Sequence, residues 1–465
     1  MSPGVAIRFR SRRVSVALQM AECCAWEQTG HRSPRRRIKQ GIWQHIPQLS
    51  PFPYLSLTDV LQAAPRLLEL VSPEDKKSLS AVCTSMRRLV HACASFVSLQ
   101  KGDTLQHLLD TAAGPRLQVL QLQDIRLTVT AIPGLTSAPW SVLLVSLTLS
   151  NCGLEPSTIS KLAAGYWPML QHLSFRNNSL STAAIKAMAG GQWPRLEHLD
   201  LSSIKLNAEG IAELIQLSWS RLSGLELQGN PDIDAKAFRM LASGVWPCLK
   251  GLAISGSFTL NYFVRQAASP LRLLESVYLN CNYSPQAVNF AGAWQNMQSM
   301  RIKTRCPTSA YIAILPKPLK LELKGAAWCN LQSLDLSYSH LGGQGIAQLA
   351  LGDWPWLCQL DVSHLEFTEE DYIPDDYAGL ASGRWPQLTY LCLADNAMYD
   401  EYAAELTVAN WPKLRVLDLS HNCIGVTGSA ALDQGNWPEM EHLCLHENQP
   451  ECICPTCFLD ELAGF

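Results

Sequence analysis

Along most of the chain the apolar residues recur in one short pattern, Leu-x-x-Leu-x-Leu-x-x-Asn. It reads "LQHLSFRNN" at 170–178, "LSGLELQGN" at 222–230, "LTYLCLADN" at 388–396, "LRVLDLSHN" at 414–422 and "MEHLCLHEN" at 440–448. Looser copies begin at Leu117, Leu144, Leu196, Leu249, Leu274, Met297, Leu331 and Leu357, making thirteen candidate units. The alternation inside each copy predicts a short strand with its leucines turned inward. A segment of helical period follows each strand. In "GGQGIAQLAL", Ile346, Leu349 and Ala350 fall at i, i+3 and i+4, one face of a helix. Strand and helix thus alternate, mostly at 26 or 27 residues, the mark of a stacked solenoid.

A second pattern runs in phase with the first: Gly-x-Trp-Pro-x-Leu. Examples are "LAAGYWPMLQHLSF", "MAGGQWPRLEHLDL", "LASGVWPCLKGLAI" and "LASGRWPQLTYLCL". Tryptophans fall at 140, 167, 193, 219 and 246, then at 328, 354, 385, 411 and 437. Pro355 cannot continue a helix, and it biases Trp354 toward extended backbone. Gly352 is expected in the left-handed position just past a helix end. Trp354 is expected to plug the seam between layers. The Asn that closes each strand pattern can satisfy backbone groups where the chain turns away.

These two patterns together resemble the leucine-rich repeat, in the longer helix-bearing form of ribonuclease-inhibitor-like and GALA-like proteins. The resemblance covers residues 105–450. It implies an α/β solenoid, a horseshoe with a parallel strand array on its concave face and helices on its convex side, preceded by a small helical segment. Two stretches break the rule. Residues 255–330 lose the Trp-Pro signature and include the basic run "RIKTRCPTSAYIAILPKPLKLELK"; degenerate units or an emerging loop are both compatible with it. Residues 365–378, overlapping "EFTEEDYIPDDYAGL", lengthen one unit and add six acids. Extra residues in a repeat map to surface loops.

In such a fold the variable strand positions line the concave surface, where solenoids bind their partners. The candidate partner-binding residues are Asp200, Glu226, Tyr278, Arg301, Asp335, Asp361 and Asp418, with Lys303 and Tyr390 at flanking positions. The face they predict is mixed in charge and mildly acidic, with a basic middle at Arg301, Lys303 and Arg305.

Residues 1–53 hold nine Arg and Lys against two acids and read as a disordered basic segment, with a nuclear signal, a transit peptide or a plain tail as its possible roles. Residues 54–104 read as short helices. Ser72-Pro73-Glu74-Asp75 is a helix start, and Leu79, Val82, Met86 and Leu89 follow as an apolar stripe. This segment resembles an F-box through Leu67, Leu68 and Leu70, the Pro-Glu-Asp turn and "LSAVCTSMRRL". That resemblance implies docking of a Skp-type adaptor of a cullin–RING ubiquitin ligase, with the repeats choosing the substrate. The departures are Ala64-Pro65 where Leu-Pro is usual and Met86 where an aromatic is frequent. The alternative is an N-terminal cap over the first repeat, which solenoids require.

Composition narrows the function further. The net charge of −3 over 465 residues argues against a dedicated nucleic-acid binder. No run approaches the about 18 apolar residues of a membrane span. The sixteen Cys are scattered, many of them at apolar repeat positions, which suits buried free thiols in a reducing compartment, cytoplasmic or nuclear. No Walker loop, His-Glu-x-x-His or Gly-x-Ser-x-Gly elbow is present, and no cofactor is expected. Residues 451–465 form a Cys-rich cap or tail; Cys454-x-x-Cys457 has a zinc-like spacing, but its neighbours Cys444, His446 and Cys452 do not, and free thiols are the expectation. The reading is a non-catalytic, monomeric protein-interaction scaffold. The alternatives are an F-box-type ligase receptor and, from another class, a GTPase-activating protein.

Overall fold

The structure is a computed structural model that describes residues 95–101, 117–217, 219–266, 270–282, 288–289, 294–305, 321–322, 328–339, 341–365 and 375–448. The basic segment 1–53, the F-box-like leucines between Leu67 and Leu89, the acids Glu366, Glu369, Glu370 and Asp371, and the cysteines Cys452, Cys454 and Cys457 all lie outside the described residues.

Fourteen parallel strands form one sheet in strict chain order. They are β1 (Phe96–Leu99), β2 (Val119–Gln123), β3 (Ser146–Ser150), β4 (His172–Ser174), β5 (His198–Asp200), β6 (Gly224–Leu227) and β7 (Gly251–Thr259). Then follow β8 (Ser276–Asn282), β9 (Ser299–Arg305), β10 (Ser333–Asp335), β11 (Gln359–Asp361), β12 (Tyr390–Cys392), β13 (Val416–Asp418) and β14 (His442–Cys444). Each pairs with the next, so neighbours in sequence are neighbours in space. Thirteen of the strands coincide with the thirteen leucine patterns. The additional one, β1, falls inside the segment 54–104 that the sequence reading assigns to helices. Its "FVSL" alternates exposed and buried, and in-register pairing with Val119–Leu122 supplies the hydrogen bonds such a short strand cannot find alone.

The inward leucines make one continuous core from Val97 to Trp437. Short helices cover its far side, including Pro156–Ala163, Ala208–Leu214, Ala235–Ser243, Gly342–Leu349 and Val426–Leu432. Curvature can be read from stacked rings. On the strand side His172 and His198 stack at 4.7 Å, near the strand spacing of about 4.8 Å. At the corner before the strands, Trp328, Trp354, Trp385 and Trp411 stack at 6.0, 6.1 and 6.1 Å. Units closer together on one side than the other bend the array, with the sheet on the inner face.

The corner motif works by a different device from the one expected of its glycine. Gly352 is not left-handed; among the described glycines only Gly153 and Gly229 have positive φ. Its role is steric. The indole two residues on folds back over the glycine, and a Cβ at Gly191, Gly383 or Gly435 would lie 2.5, 2.6 or 2.5 Å from Trp193, Trp385 or Trp437. The Trp carbonyl then accepts the amide three residues on, as in Leu357→Trp354 and Leu388→Trp385, both 3.1 Å. Pro at the second position of that turn presets its φ.

The left-handed residue sits instead at the strand's exit. Asn151, Asn177, Ser203, Gly229, Tyr338, His364, Asp395, His421 and Glu447 all have positive φ there. The next residue is the Asn position of the pattern, filled by Asn178, Asn230, Asn396, Asn422 and Asn448, and the role of that Asn is as expected. Buried Asn422 accepts from the Asn396 and Met398 amides at 2.9 and 3.0 Å and donates to the Leu393 and Leu419 carbonyls at 3.0 Å each. Each such Asn serves its own unit and the preceding one. That is why Cys152 and Ile204 can stand at the Asn position, their loops being served by Asn178 and Asn230.

Residues 255–330 keep the sheet unbroken. There β7, β8 and β9 run to nine, seven and seven residues, with an irregularity between Ser255 and Thr259. A short parallel pair joins Val288–Asn289 to Leu321–Glu322. Trp294, absent from the Trp-Pro pattern, is the missing corner. It is buried, stacks on Phe263 at 4.1 Å, and its carbonyl accepts from Met297 at 3.1 Å.

Candidate functional site

The concave face is built from two rows of side chains, one on each side of the second inward leucine of every strand. The register aligns the first row as His172, His198, Gly224, Gly251, Ser276, Ser299, Ser333, Gln359, Tyr390, Val416 and His442. The second row runs Ser174, Asp200, Glu226, Ala253, Tyr278, Arg301, Asp335, Asp361, Cys392, Asp418 and Cys444. All nine sequence-predicted residues lie on these strands. Lys303 is two residues further along β9 from Arg301.

Their surroundings differ. Asp335, Asp361 and Asp418 each clamp the turn beyond their own strand. Each accepts at one carboxylate oxygen both the backbone amide (3.0 Å) and the hydroxyl (2.6 Å) of the Ser two residues on. The Asp-x-Ser spelling was the available signal for this local role. Asp200 accepts from the Ser202 amide at 2.9 Å and from the Ser174 hydroxyl at 2.8 Å. Asp335 is also buried and ion-paired with Arg301, whose guanidinium lies 5.9 Å from the Tyr278 ring centre. Lys303 sits over Tyr338 at 4.8 Å. The basic middle expected of this face is therefore knitted into acids and aromatic rings from adjacent strands.

Strands β4 to β9 enclose an open hollow of 630 Å³. Gly224, Gly251, Ala253, Ser276 and Ser299 leave its floor low, while His198, Asp200, Glu226 and Tyr278 rise around it. His198 leans over Gly224, where a Cβ would meet its ring. Partial burial, then the neighbouring His172, hold the His198 pKa down. Partial desolvation in the hollow, then Asp200, push the Glu226 carboxyl up, while Arg176 acts against them. At the other end, burial raises the Tyr390 hydroxyl well above its usual range and takes the Cys392 thiol to about 11. Cys392 is thus a protonated packing residue at neutral pH.

Along the strand exits the left-handed residues form a rim. Tyr338 stacks on His364 at 4.3 Å, and His364 Nδ1 meets Asp395 at 2.6 Å. His421 reaches Glu447 at 3.2 Å. Leucine spacing does not reveal this rim, because its residues lie outside the inward positions. Among the described residues no group of three His, Cys, Asp or Glu is placed to hold a metal ion. None of the described helices is long and apolar enough to cross a membrane.

A family described as Leucine Rich repeat matches residues 329–350 and 412–432. Both matches lie on units whose strand, left-handed exit and buried core are described above. The chain is a leucine-rich repeat protein. Its repeats form an α/β leucine-rich repeat solenoid. Comparison with curated proteins finds no match. Among solved structures it is similar to the Rad7 and Elc1 complex of yeast, with 14% identity, 90% of this chain and 96% of that one covered, and a TM-score of 0.46. It is similar to an internalin from Listeria monocytogenes (12%, 84% and 89%, TM-score 0.36). A third is the leucine-rich repeat-containing protein LegL7 from Legionella pneumophila (15%, 66% and 93%, TM-score 0.37).

Proposed function

We propose that the protein is a non-catalytic interaction scaffold that takes a protein partner on its concave sheet face. The observation that supports this most is the hollow over β4–β9, where five small residues leave open space beside acidic and aromatic side chains. A solvent-facing strand surface needs only polar residues; it does not need a cleared floor. Asp200, Glu226, Tyr278, Arg301, Lys303, Asp335, Asp361, Tyr390 and Asp418 are the proposed contact residues. Asp335 acts through Arg301, because its own carboxylate is buried and paired.

A photo-crosslinking residue placed in cells at Asp361 or Tyr390 tests this against one at Lys236, exposed on the helix Ala235–Ser243. Crosslinks to another protein from the two strand positions, and not from Lys236, are expected. Crosslinks from Lys236 alone would end the reading. The finer reading, a ligase substrate receptor, is supported by the F-box-like sequence around Leu67, Leu68, Leu70, Leu79, Val82, Met86 and Leu89. Binding of a purified Skp adaptor to the full chain, lost on Leu68→Asp or Leu79→Asp, is its expected outcome. No binding makes the segment a cap.

A further inference from the structure

One stretch of the second concave row is nearly symmetric about Tyr278. On the carboxy-terminal side the register places Arg301 next to Tyr278 and Asp335 next to Arg301. A cation thus lies between an aromatic ring and a carboxylate two strands away. On the amino-terminal side the register places Ala253 next to Tyr278 and Glu226 next to Ala253. The ring is the same and an acid again stands two strands away, but the residue between them is a methyl group. Tyr278, Ala253 and Glu226 all line the hollow, and Glu226 is open to it.

Resting on the scaffold reading, we propose that the gap over Ala253 receives an arginine side chain presented by the protein partner. The bound guanidinium would lie between Tyr278 and Glu226 as Arg301 lies between Tyr278 and Asp335. Charge supports a cation there. Glu226 stands beside Asp200 in register, and Asp200 is already occupied by Ser202 and Ser174. Lys250, the cation nearest in the lining, is taken by Glu275 at 2.8 Å. Arg176, exposed just beyond the end of β4, offsets the two acids only partly. Desolvation and then repulsion from Asp200 raise the Glu226 carboxyl, and an added cation would offset the repulsion. Shape supports arginine over lysine. A planar guanidinium can stack on Tyr278 and meet a carboxylate in its own plane, which a compact ammonium cannot.

The test uses the full chain and the acetylated, amidated peptide Ser-Gly-Arg-Gly-Ser, with citrulline and lysine peptides as comparisons, followed by saturation-transfer NMR titration. The arginine peptide is expected to bind about tenfold more tightly than its uncharged citrulline counterpart, the loss that goes with one charge-assisted hydrogen bond. Ala253→Arg, which supplies the missing side chain from within, and Glu226→Gln should each remove that difference, while Lys236→Ala should not. Glu226→Gln keeps the test open should Ala253→Arg fold poorly. Equal binding of the arginine and citrulline peptides, or an unchanged preference in Glu226→Gln, overturns the inference. Crosslinking from Asp361 and Tyr390 is read independently, so the scaffold proposal can stand while the arginine site falls.

Discussion

Two halves of one solenoid meet at Tyr278, and the same repeat builds them differently. In the carboxy-terminal half three Asp-x-Ser clamps close the exits of β10, β11 and β13, and Asn396, Asn422 and Asn448 join four consecutive units. Four corner indoles stack in a row, and those of Trp354 and Trp385 find no hydrogen-bond partner among the described residues. In the amino-terminal half the indoles of Trp167, Trp219 and Trp246 instead donate to helix-end carbonyls at 2.9, 3.0 and 2.7 Å. There Trp193 is only partly buried, and the sheet face opens into the hollow. One half uses its polar residues to close the scaffold. The other closes its turns with Asn178, Asn230 and Asp200 but keeps Glu226 facing the hollow. A repeat that tolerates both solutions can vary how open its sheet face is while keeping its fold.

The largest effect that would sharpen this contrast lies in the asparagine ladder. Asn422→Ala removes five buried hydrogen bonds to backbone groups and is expected to cost about 3 kcal/mol or more, since each orphaned buried group costs about 1–3 kcal/mol. Asn448, at the partly buried end of the ladder, should cost less. Denaturant midpoints of the two variants check the order; equal losses would deny that the ladder strengthens inward.

Corner glycines come next. Gly383→Ala forces Trp385 against two stacked neighbours and should cost about 1–3 kcal/mol, the usual range for overpacking. Gly191→Ala should cost clearly less, because Trp193 has room to move. The same unfolding measurement would break the comparison if the two substitutions proved equivalent.

Strand-exit acids should differ as well. Asp335→Ala strands Arg301 and unclamps Ser337, a loss of about 2 kcal/mol. Asp200→Ala loses two hydrogen bonds but also removes a negative charge beside Glu226, so its net cost should be smaller.

The smallest effect concerns pH. Glu226 has its folded pKa raised, so its carboxyl favours the folded state below the ordinary Glu range of about 4.5 and opposes it as pH rises through the folded value. Glu226→Gln should therefore raise the unfolding midpoint slightly at pH 7 and leave it unchanged near pH 4. His198 has its folded pKa lowered. It opposes folding as pH falls below about 6.5, and His198→Gln should flatten that limb of the stability curve. A midpoint at pH 7 that falls in Glu226→Gln would show that the carboxylate is already compensated in the free protein.

Much of the architecture was written in the sequence, because a repeat encodes it locally. Leu-x-x-Leu-x-Leu names each strand and its buried side, the closing Asn names the turn, and Trp-Pro names the corner; each needs only its own unit and the next. Trp294 was legible in the same way, three residues before Met297 as other corner tryptophans precede their leucines, although the lost proline hid it. What the tertiary structure alone decided is how side chains meet across strands. Tyr278, Arg301 and Asp335 stand 23 and 34 residues apart in the chain and one strand apart in the sheet. Spacing within one unit does not say which of them pair, which acid clamps a serine, or which is left facing a hollow. Register sets the neighbours, and packing sets the rotamers. Gly352 makes the same point at the corner: its sequence context suggested a backbone conformation, and the packing of an indole against it supplied the real reason for a residue without a side chain.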